Sequence, residues 1–464
     1  MTLAGVVWVV FASAAILLQR RSAAATLAWL LLFVFLPIVG FLAYRLLGPL
    51  RLERKRVRRQ VGRGVVEDAH RALATIREAC GDELPLAMVP VAMNEAPPLR
   101  AASVRLFLDG KSTYAAIGEA IAAARHHVHL EYYIWEPDRI GTRLRDQLVE
   151  RARAGVAVRL LVDGTGSSRL GRGFMRPLRD AGVAVAWFNP VSLRWIRTRR
   201  VDFRTHRKIV VCDGTVGFTG GMNVTESHSA EFSPAYWRDT HLRIEGAAVL
   251  PMQRLFIEDW YFATEQLPAA TAELFPPPTA AGPRVVQIVA SGPDHDHRTI
   301  HRTFFTAITR ARERLWLTTP YFVPDESTLT ALATAALRGV DVRLLIPERG
   351  DSRLVDLAAR SYVPDLLASG ARVYEYLPRF VHAKTFVVDD DVAIVGTANL
   401  DNRSFQLNFE LAALIYDREL NGELAAAYEA DLADSREIRA ADLTRASLAR
   451  RLGEASARLL SPLL

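Results

Sequence analysis

Cysteine is nearly absent from this sequence, with only Cys80 and Cys212 among 464 residues. A disulfide framework is therefore not expected, which fits a reducing compartment. Metal-binding signatures are also missing, because no H-E-x-x-H segment occurs and no Cys/His cluster has metal-ligand spacing. We therefore expect chemistry that needs neither a metal ion nor another cofactor.

Acidic residues are fewer than basic ones: 51 Asp and Glu stand against 58 Lys and Arg, which gives a net charge of +7. This balance indicates an anionic partner, such as nucleic acid, anionic lipid or a phosphate ester. The length allows about two to four domains. Half of the residues are apolar, so large cores are feasible.

Charge is absent from two N-terminal runs, residues 3–18 and 22–44. The second run can cross a hydrocarbon core at ~1.5 Å per residue, and the first can cross with help from its flanks. A cleaved signal peptide needs basic residues before the apolar run, whereas Arg20 and Arg21 follow it. We predict a membrane anchor over residues 1–48 with two transmembrane helices. One span plus an interfacial segment is the alternative.

Residues 49–100 form a basic juxtamembrane segment and connector. The positive-inside bias places the chain after residue 45 in the cytoplasm. The same cluster suits anionic lipid headgroups. Its basic residues are Arg45, Arg51, Arg54, Lys55, Arg56, Arg58, Arg59 and Arg63.

Beyond residue 100 the sequence repeats itself. "RAGVAVRLLVDGTGS" (153–167) is similar to "LRGVDVRLLIPERGDS" (337–352), and "HRKIVVCDGTVGFTGGMN" (206–223) is similar to "HAKTFVVDDDVAIVGTAN" (382–399). Short apolar strands alternate with helical patterns in both copies. We predict two duplicated α/β domains, residues 101–266 and 284–464, joined by a Pro- and Ala-rich linker at 267–283.

Each copy carries the pattern H-x-K-x4-D, followed ten residues later by an asparagine. Because side chains alternate along a strand, the His and Lys of one copy share a face, and a duplicated fold brings two such faces together in one active site. The motif residues are His206, Lys208, Asp213 and Asn223 in the first copy, and His382, Lys384, Asp389 and Asn399 in the second. The expected pocket holds the two imidazoles, the two ammonium groups and the two amide side chains.

This set of side chains suits a phosphodiester. The lysines neutralise the non-bridging oxygens, and the asparagine amides donate hydrogen bonds to them. One neutral histidine can attack phosphorus, while the other, protonated, gives its proton to the leaving alkoxide. The two ammonium groups occupy the role that a metal pair would otherwise take.

The paired motifs resemble those of the phospholipase D superfamily. The whole chain further resembles the bacterial cardiolipin synthases, through "VDFRTHRKIVVCDG", "WRDTHLRIEG", "GTANLDNRSFQLNFE" and the terminal "LLSPLL". The resemblance implies that two phosphatidylglycerol molecules give cardiolipin and glycerol through a phosphatidyl-histidine intermediate. It also implies that this takes place on the bacterial inner membrane, with phosphatidylglycerol and other anionic phospholipids as partners.

The resemblance also implies a carboxylate partner for each histidine. By offset, these partners are Asp239 for His206 and Glu410 for His382. His206 is expected to be the nucleophile, from its place in the first motif. The resemblance gives the motif aspartates, Asp213 and Asp389, a structural role.

Three other functions stay open at this point. A hydrolytic phospholipase D has the same chemistry with water as the acceptor, and motif chemistry alone does not separate the two. A nuclease of the same superfamily suits a basic chain, but membrane spans argue for lipid and against nucleic acid. A catalytically inactive lipid-binding scaffold disagrees with two intact motifs. The oligomeric state is left undetermined.

Overall fold

The computed structural model describes residues 3–18, 23–47, 84–93, 95–190, 202–269, 272–277, 282–294, 298–444 and 447–464. Much of the basic segment predicted at 49–100 therefore lies outside the described residues. Two compact units are present, and the smaller comprises residues 1–53 and 189–203. The helices of the described residues are α1 (Leu3–Leu18), α2 (Ala23–Phe35), α3 (Pro37–Leu47), α4 (Leu84–Ala92), α5 (Gly110–Ala123), α6 (Arg139–Arg153), α7 (Arg172–Asp180), α8 (Leu250–Thr264), α9 (Thr299–Arg310), α10 (Glu326–Leu337), α11 (Arg353–Ala368), α12 (Asn402–Gln406), α13 (Arg418–Ala433), α14 (Ala440–Thr444) and α15 (Leu448–Leu459).

The smaller unit is built from α1, α2 and α3, which are apolar helices. Ile16 of α1 packs with Phe33 of α2 in a small core that Trp8 joins edge-on, 5.1 Å from the Phe33 ring. The second predicted span is divided at Leu36, because Pro37 disfavours helical backbone in the residue before it. None of the described helices combines the length and the apolar character that a membrane crossing needs.

The larger unit is organised around one long mixed sheet. The strands of the described residues are β1 (Leu99–Phe107), β2 (His127–Tyr132), β3 (Ala157–Asp163), β4 (Ala184–Phe188), β5 (Arg204–Thr205), β6 (Ile209–Cys212), β7 (Val216–Gly220), β8 (His241–Gly246), β9 (Arg284–Ser291), β10 (Arg314–Thr318), β11 (Phe322–Val323), β12 (Asp341–Pro347), β13 (Arg372–Tyr376), β14 (Thr385–Val388), β15 (Val392–Gly396), β16 (Leu400–Asp401), β17 (Asn408–Tyr416) and β18 (Ser435–Ile438). The order in the sheet is β18-β13-β12-β10-β14-β15-β17-β9-β1-β8-β7-β6-β2-β3-β4, with β5 attached to β17 and a separate β11-β16 pair.

The strand order shows the duplication directly. From the centre outward, β1-β8-β7-β6-β2-β3-β4 on one side repeats as β9-β17-β15-β14-β10-β12-β13 on the other. The halves meet where β1 and β9 pair antiparallel, with Leu99 opposite Val286. The predicted fold of two duplicated α/β domains is confirmed. The boundary residues proposed for the domains and linker stay predictions, although β9 begins at Arg284, directly after the predicted linker.

Helices cover both faces of the sheet, because alternate strand residues point to opposite sides. Along β17, Ala412 and Leu414 pack in a core with helices α9, α10 and α11. Their neighbours Leu411, Ala413 and Ile415 pack in a second core with α13 and α8. These strands are apolar on both faces, as buried sheets in α/β proteins are.

Two crossed connections tie the halves together beyond the central pair. β5 pairs in parallel with the start of β17, with Thr205 opposite Phe409. The equivalent contact joins Arg238 to Val381 in parallel. After the first contact the two segments continue to His206 and Glu410, and after the second they continue to Asp239 and His382. These crossed contacts therefore place a motif histidine beside an acidic residue in each case.

Candidate active site

The histidine and lysine side chains of the two motifs are buried at the leading ends of two equivalent strands. His206 and Lys208 precede β6, while His382 and Lys384 precede β14. Their exposed fractions are 9%, 0%, 4% and 3%, in that order. The charges of both lysines act on both histidines, so the two motifs share one site.

The expected pairing of histidines with carboxylates is wrong, because the partners are exchanged between the halves. Nδ1 of His206 lies 3.0 Å from Oε2 of Glu410. Nδ1 of His382 lies 2.7 Å from Oδ2 of Asp239. The crossed ladders explain this: His206 N–H donates to the Phe409 carbonyl at 2.9 Å, and His382 N–H donates to the Arg238 carbonyl at 2.7 Å. Each histidine therefore lies beside the acidic residue of the opposite half.

Glu410 is held by several donors besides His206. Thr397 Oγ1 donates to Oε2, and Ser404 Oγ donates to Oε1 at 2.8 Å. Asn408 Nδ2 donates to Oε1 at 3.2 Å. Burial alone would raise the pKa of Glu410, but the His206 imidazole and the neighbouring donors outweigh it and lower the pKa to about 2. Glu410 is therefore an anion with a fixed orientation.

Asp239 has a different environment, although it is equally buried. The backbone N–H of Thr240 donates to Oδ1 at 2.7 Å. On the Oδ2 side, Nδ1 of His228 lies 3.5 Å away. Gly221 occupies the position equivalent to Thr397, and a Cβ there would lie 2.0 Å from Oδ1. Glycine is therefore required beside Asp239, and no hydroxyl can be supplied from that position.

Burial changes the proton affinity of the whole cluster. It lowers the pKa of His206 to about 4, against the opposing effect of Glu410. Burial and the two lysines lower the pKa of His382 well below its ordinary value. Burial also lowers the pKa of Lys208 to about 7 and that of Lys384 to about 8. A neutral imidazole at position 206 and weakly acidic ammonium groups follow at neutral pH.

The motif aspartates lie at the other end of the strands and organise the backbone. Asp213 accepts the N–H groups of Arg125, His126 and His127 at 2.8 to 2.9 Å. Asp389 accepts those of Arg312, Glu313 and Arg314 in the same way. Both residues have positive φ, 53° and 46°, a conformation that Asp tolerates better than most residues. This geometry agrees with the structural role expected for them.

The two motif asparagines lie where their strands leave the sheet. Asn223 accepts the Ile134 N–H with Oδ1 at 3.3 Å, which leaves its Nδ2 group as the donor. Asn399 uses Nδ2 to donate to Asp401 at 3.1 Å. The backbone N–H of each points to a residue five positions later: Asn223 to His228 at 3.3 Å and Asn399 to Ser404 at 3.1 Å.

One trio in the described residues has the spacing of metal ligands: His228, Asp239 and His382, all buried. Lys384 Nζ lies 3.0 Å from Nδ1 of His382. A metal ion bound by the trio would lie beside the positively charged Lys384 ammonium group, so we assign no metal to it. Aromatic rings complete the surroundings, with Tyr133 5.2 Å from the His206 ring and Trp237 5.2 Å from the His382 ring.

Sequence reasoning missed several residues of the site. His228, Thr397, Ser404 and Asn408 all contact the supporting carboxylates. The signal for His228 and Ser404 is their common offset of five residues from the motif asparagines. Arg207 gives no such signal, yet it is buried and its guanidinium bonds Asp259 and the Glu410 carbonyl, the latter at 3.1 Å.

Comparisons with known proteins agree with this geometry. The family model "Cardiolipin synthase, PLD-like domain" matches residues 117–260 and 304–432, and the model "Phospholipase D-nuclease N-terminal" matches residues 6–49. The chain is 38% identical to cardiolipin synthase 1 of Bacillus anthracis, over 100% of this chain and 94% of that one. It is 39% identical to the cardiolipin synthase of Alkalihalophilus pseudofirmus, over 98% and 92%.

A solved structure supports the fold. The crystal structure of phosphatidylserine synthase from Haemophilus influenzae matches with a TM-score of 0.60 and 14% identity. The match covers 82% of this chain and 100% of that chain. At this identity, the likeness concerns the arrangement of strands and helices.

Proposed function

The chain belongs to the cardiolipin synthase family of phospholipase D-like proteins, and we propose that it joins two phosphatidylglycerol molecules into cardiolipin and releases glycerol. The observation that carries the proposal is the pair of buried histidines, each bound by a carboxylate of the opposite half. Two such imidazoles supply a nucleophile and a proton carrier, and the adjoining lysines match the charge of a phosphodiester.

In the first half-reaction, Nε2 of His206 attacks the phosphorus of one phosphatidylglycerol. The bond from phosphorus to the glycerol oxygen breaks, and that oxygen takes the proton from Nε2 of His382. The products are a phosphatidyl group on His206 and free glycerol. Glu410 and Asp239 hold the Nδ1 protons of the two rings, which fixes the tautomers and leaves each Nε2 for chemistry.

The protonation states fit these roles once the substrate is counted. A pKa of about 4, set by burial, keeps His206 neutral and nucleophilic at pH 7. Burial and the lysines lower the pKa of His382 in the empty pocket. A bound phosphodiester opposes the lysine charge, so it raises the pKa of His382 and of both lysines. His382 therefore takes up its proton together with the substrate, and Asn223 and Asn399 help to orient the phosphate oxygens.

In the second half-reaction, neutral His382 accepts the proton of a glycerol hydroxyl on a second phosphatidylglycerol. The resulting alkoxide attacks phosphorus, the bond to His206 breaks, and cardiolipin forms. Water in place of the lipid alcohol gives phosphatidic acid, which is the hydrolytic alternative. The apolar and aromatic surroundings of the histidines favour a lipid acceptor over water.

We also propose that the smaller unit anchors this membrane-associated enzyme by two spans, α1 and the α2–α3 pair. The helical hydrogen bonding continues through the division at Leu36, whose N–H bonds the Leu32 carbonyl while the Gly40 N–H bonds the Leu36 carbonyl. Aliphatic and aromatic side chains there are exposed, including Phe11, Leu18, Phe35 and Ile38. Basic residues after position 45 orient the catalytic unit toward the cytoplasm. A reporter fused at the C-terminus tests this: a cytoplasmic signal supports the orientation and a periplasmic signal contradicts it.

The proposed reaction is tested with purified full-length enzyme in liposomes containing phosphatidylglycerol labelled in its terminal glycerol, with EDTA present. Wild type is compared with His206→Ala and His382→Ala, and lipids are separated by thin-layer chromatography. Cardiolipin with equimolar free glycerol, lost in both variants, supports the proposal. Phosphatidic acid as the main product contradicts transfer, and activity that needs an added metal contradicts the metal-independent mechanism.

A further inference from the structure

His228 is a buried imidazole that the reaction above does not use. Its side chain is fully enclosed, at the end of a short 3-10 turn, Glu226–His228. Nε2 accepts the backbone N–H of Asn223 at 3.3 Å. Because a neutral imidazole carries one proton, that proton is on Nδ1, which lies 3.5 Å from Oδ2 of Asp239. The ring is 5.3 Å from the His382 ring.

The second half of the molecule contains the counterpart of this contact. Ser404 also accepts the backbone N–H of a motif asparagine, Asn399, at 3.1 Å, and its hydroxyl donates to Glu410 at 2.8 Å. His228 and Ser404 therefore occupy equivalent places between the asparagine backbone and the supporting carboxylate. Ser404 hydrogen-bonds Glu410, whereas Nδ1 of His228 lies 3.5 Å from Asp239 and forms no hydrogen bond in the described residues. In the second half the supporting carboxylate has two further side-chain donors, Thr397 and Asn408.

The first half lacks those two donors. Gly221 occupies the position of Thr397. Trp237, two residues before Asp239, occupies the position that Asn408 has before Glu410. Apart from His382, the side-chain donor that faces Asp239 in the described residues is thus the imidazole of His228. At 3.5 Å this N–H faces the carboxylate without forming a hydrogen bond in the empty site, so Asp239 interacts mainly with His382.

We propose that His228 is a positioning residue, which acts through Asp239 to orient His382 and to set how strongly His382 holds its proton. The inference rests on the proposed function, in which His382 carries the proton. A carboxylate with few donors is the stronger base, so the asymmetry assigns proton transfer to the His382–Asp239 pair. The Glu410 carboxylate, which shares its charge among more donors, supports the nucleophile.

Several charged or titratable groups face this pair and enter any pH profile. Those facing His382 are Lys384, Lys208, His206 and Asp239; those facing His228 are Asp239, His382, Lys384 and Lys208; and Tyr114 and His241 also act electrostatically with Asp239.

Two conservative variants separate the contacts of His228. His228→Asn places an amide N–H near the position of Nδ1 and keeps a donor to Asp239. His228→Gln places a carbonyl near the position of Nε2 and keeps the acceptor for the Asn223 N–H, but it removes the donor. If His228 acts in folding alone, both variants should lose similar amounts of activity. If it positions His382 through Asp239, His228→Asn should keep most of the activity and His228→Gln should not.

The experiment measures total phosphatidylglycerol consumption in liposomes by full-length enzyme, as kcat and KM from pH 5 to 10. We expect His228→Gln to lower kcat about tenfold, because the buried Asp239 carboxylate loses the N–H group that faces it, with KM changed less than about twofold. The alkaline limb of kcat should move to higher pH, because Asp239 without this donor holds the His382 proton more tightly. His228→Asn should keep the wild-type limb and lose less than about threefold in kcat.

His129→Gln is the matched control, because His129 is also buried but bonds Gln253 and Arg159 away from the carboxylates. It should shift the melting temperature without moving the pH profile. Equal losses in His228→Asn and His228→Gln with unmoved limbs would overturn the inference, as would wild-type kinetics in His228→Gln. Failure of the proposed function is separate: it appears as phosphatidic acid product, or as activity that survives His382→Ala.

Discussion

Glu410 and His206 lie 204 residues apart in the sequence, yet the carboxylate Oε2 is 3.0 Å from the imidazole Nδ1. The contact crosses the boundary between the two halves, as does its counterpart between Asp239 and His382. Neither half alone contains a supported histidine. The proposed active site therefore forms only where both repeats are folded together.

The crossed pairs predict how carboxylate variants group with histidine variants. Glu410→Gln and Asp239→Asn should each lower the rate of cardiolipin formation roughly 10²- to 10⁴-fold. The amide no longer holds the Nδ1 proton, so the imidazole adopts the wrong tautomer or orientation. A phosphatidyl ester of p-nitrophenol has a leaving group that needs no proton. With it, p-nitrophenol release should recover in Asp239→Asn and His382→Ala, but not in Glu410→Gln and His206→Ala.

The rescue pattern also identifies the nucleophile. In Asp239→Asn and His382→Ala the covalent phosphatidyl adduct should accumulate on His206, because the proton acceptor for the second alcohol is lost. Quenching with denaturant at neutral to mildly alkaline pH, where the phosphorus–nitrogen bond survives, followed by peptide mass spectrometry detects it. Rescue of Glu410→Gln together with His382→Ala would contradict the crossed assignment, and an adduct on His382 would exchange the two roles.

The motif aspartates are predicted to affect stability rather than turnover. Each accepts three backbone N–H groups from the turn before a neighbouring strand. Asp213→Ala should lower the free energy of unfolding by about 2–3 kcal/mol, since three backbone N–H donors lose a charged acceptor. Asp213→Asn should be milder, because Asn tolerates the positive φ of 53°.

Thermal melting and activity per folded molecule separate these effects. Activity per folded molecule should stay within about twofold of wild type at a temperature below the melting transition of Asp213→Ala. Asp389→Ala serves as the matched variant in the other half and should behave alike. A large loss of turnover in fully folded Asp213→Asn would give this residue a catalytic role.

The sequence was sufficient to predict the duplication, the α/β class and the buried His–Lys pairs, because these depend on local patterns. The alternation of side chains in the segments that lead into β6 and β14, and the repeated spacing to Asn223 and Asn399, can be recognised without knowledge of tertiary contacts. The partner of each histidine could not be obtained in this way. It depends on β5 pairing with β17 across the halves, and a two-residue strand such as Arg204–Thr205 has no periodicity to detect.

The residues around the carboxylates were missed for a related reason. His228 lies in a polar turn, where a histidine ordinarily has no special meaning, and only its equivalence with Ser404 reveals a shared contact. The absence of a side chain at Gly221 is equally informative, but it becomes visible only when Asp239 is found against it.

The lysines predict a specific alkaline limit on substrate capture. Burial lowers the pKa of Lys208 to about 7 and of Lys384 to about 8 in the empty site. These groups lose their charge as the pH rises through those values, so kcat/KM for phosphatidylglycerol should fall above about pH 7. The bound anionic phosphodiester raises both pKa values, so the alkaline limb of kcat should lie at higher pH than that of kcat/KM.

Steady-state kinetics from pH 5 to 10 in liposomes of constant composition check this expectation. Lys208→Arg is the informative variant, because arginine keeps its charge over the whole range even if its shape lowers kcat. Its kcat/KM limb should be flatter than that of wild type. A wild-type kcat/KM that stays constant to pH 9.5 would show that the lysines do not lose their charge near pH 7 to 8, or that substrate binding does not need that charge.

His241 predicts a dependence of stability on pH that is independent of catalysis. It is fully buried in β8, and neither ring nitrogen has a hydrogen-bond partner in the described residues. Burial lowers its pKa to about 4, below the ordinary value near 6.5 of the unfolded chain. Between pH 6.5 and 4 the unfolded chain therefore binds a proton that the folded protein does not, and stability falls as the pH decreases.

Replacing His241 with leucine removes this proton linkage. The loss of stability between pH 7 and pH 5 should be smaller in His241→Leu by about 2 kcal/mol, because one titrating group is gone. The buried His206 titrates in the same window and keeps a residual slope in both proteins. Melting temperatures at a fixed scan rate and at both pH values measure the difference. A change in packing alone shifts both melting temperatures equally, so an unchanged difference between the two pH values would show that His241 does not titrate in this range.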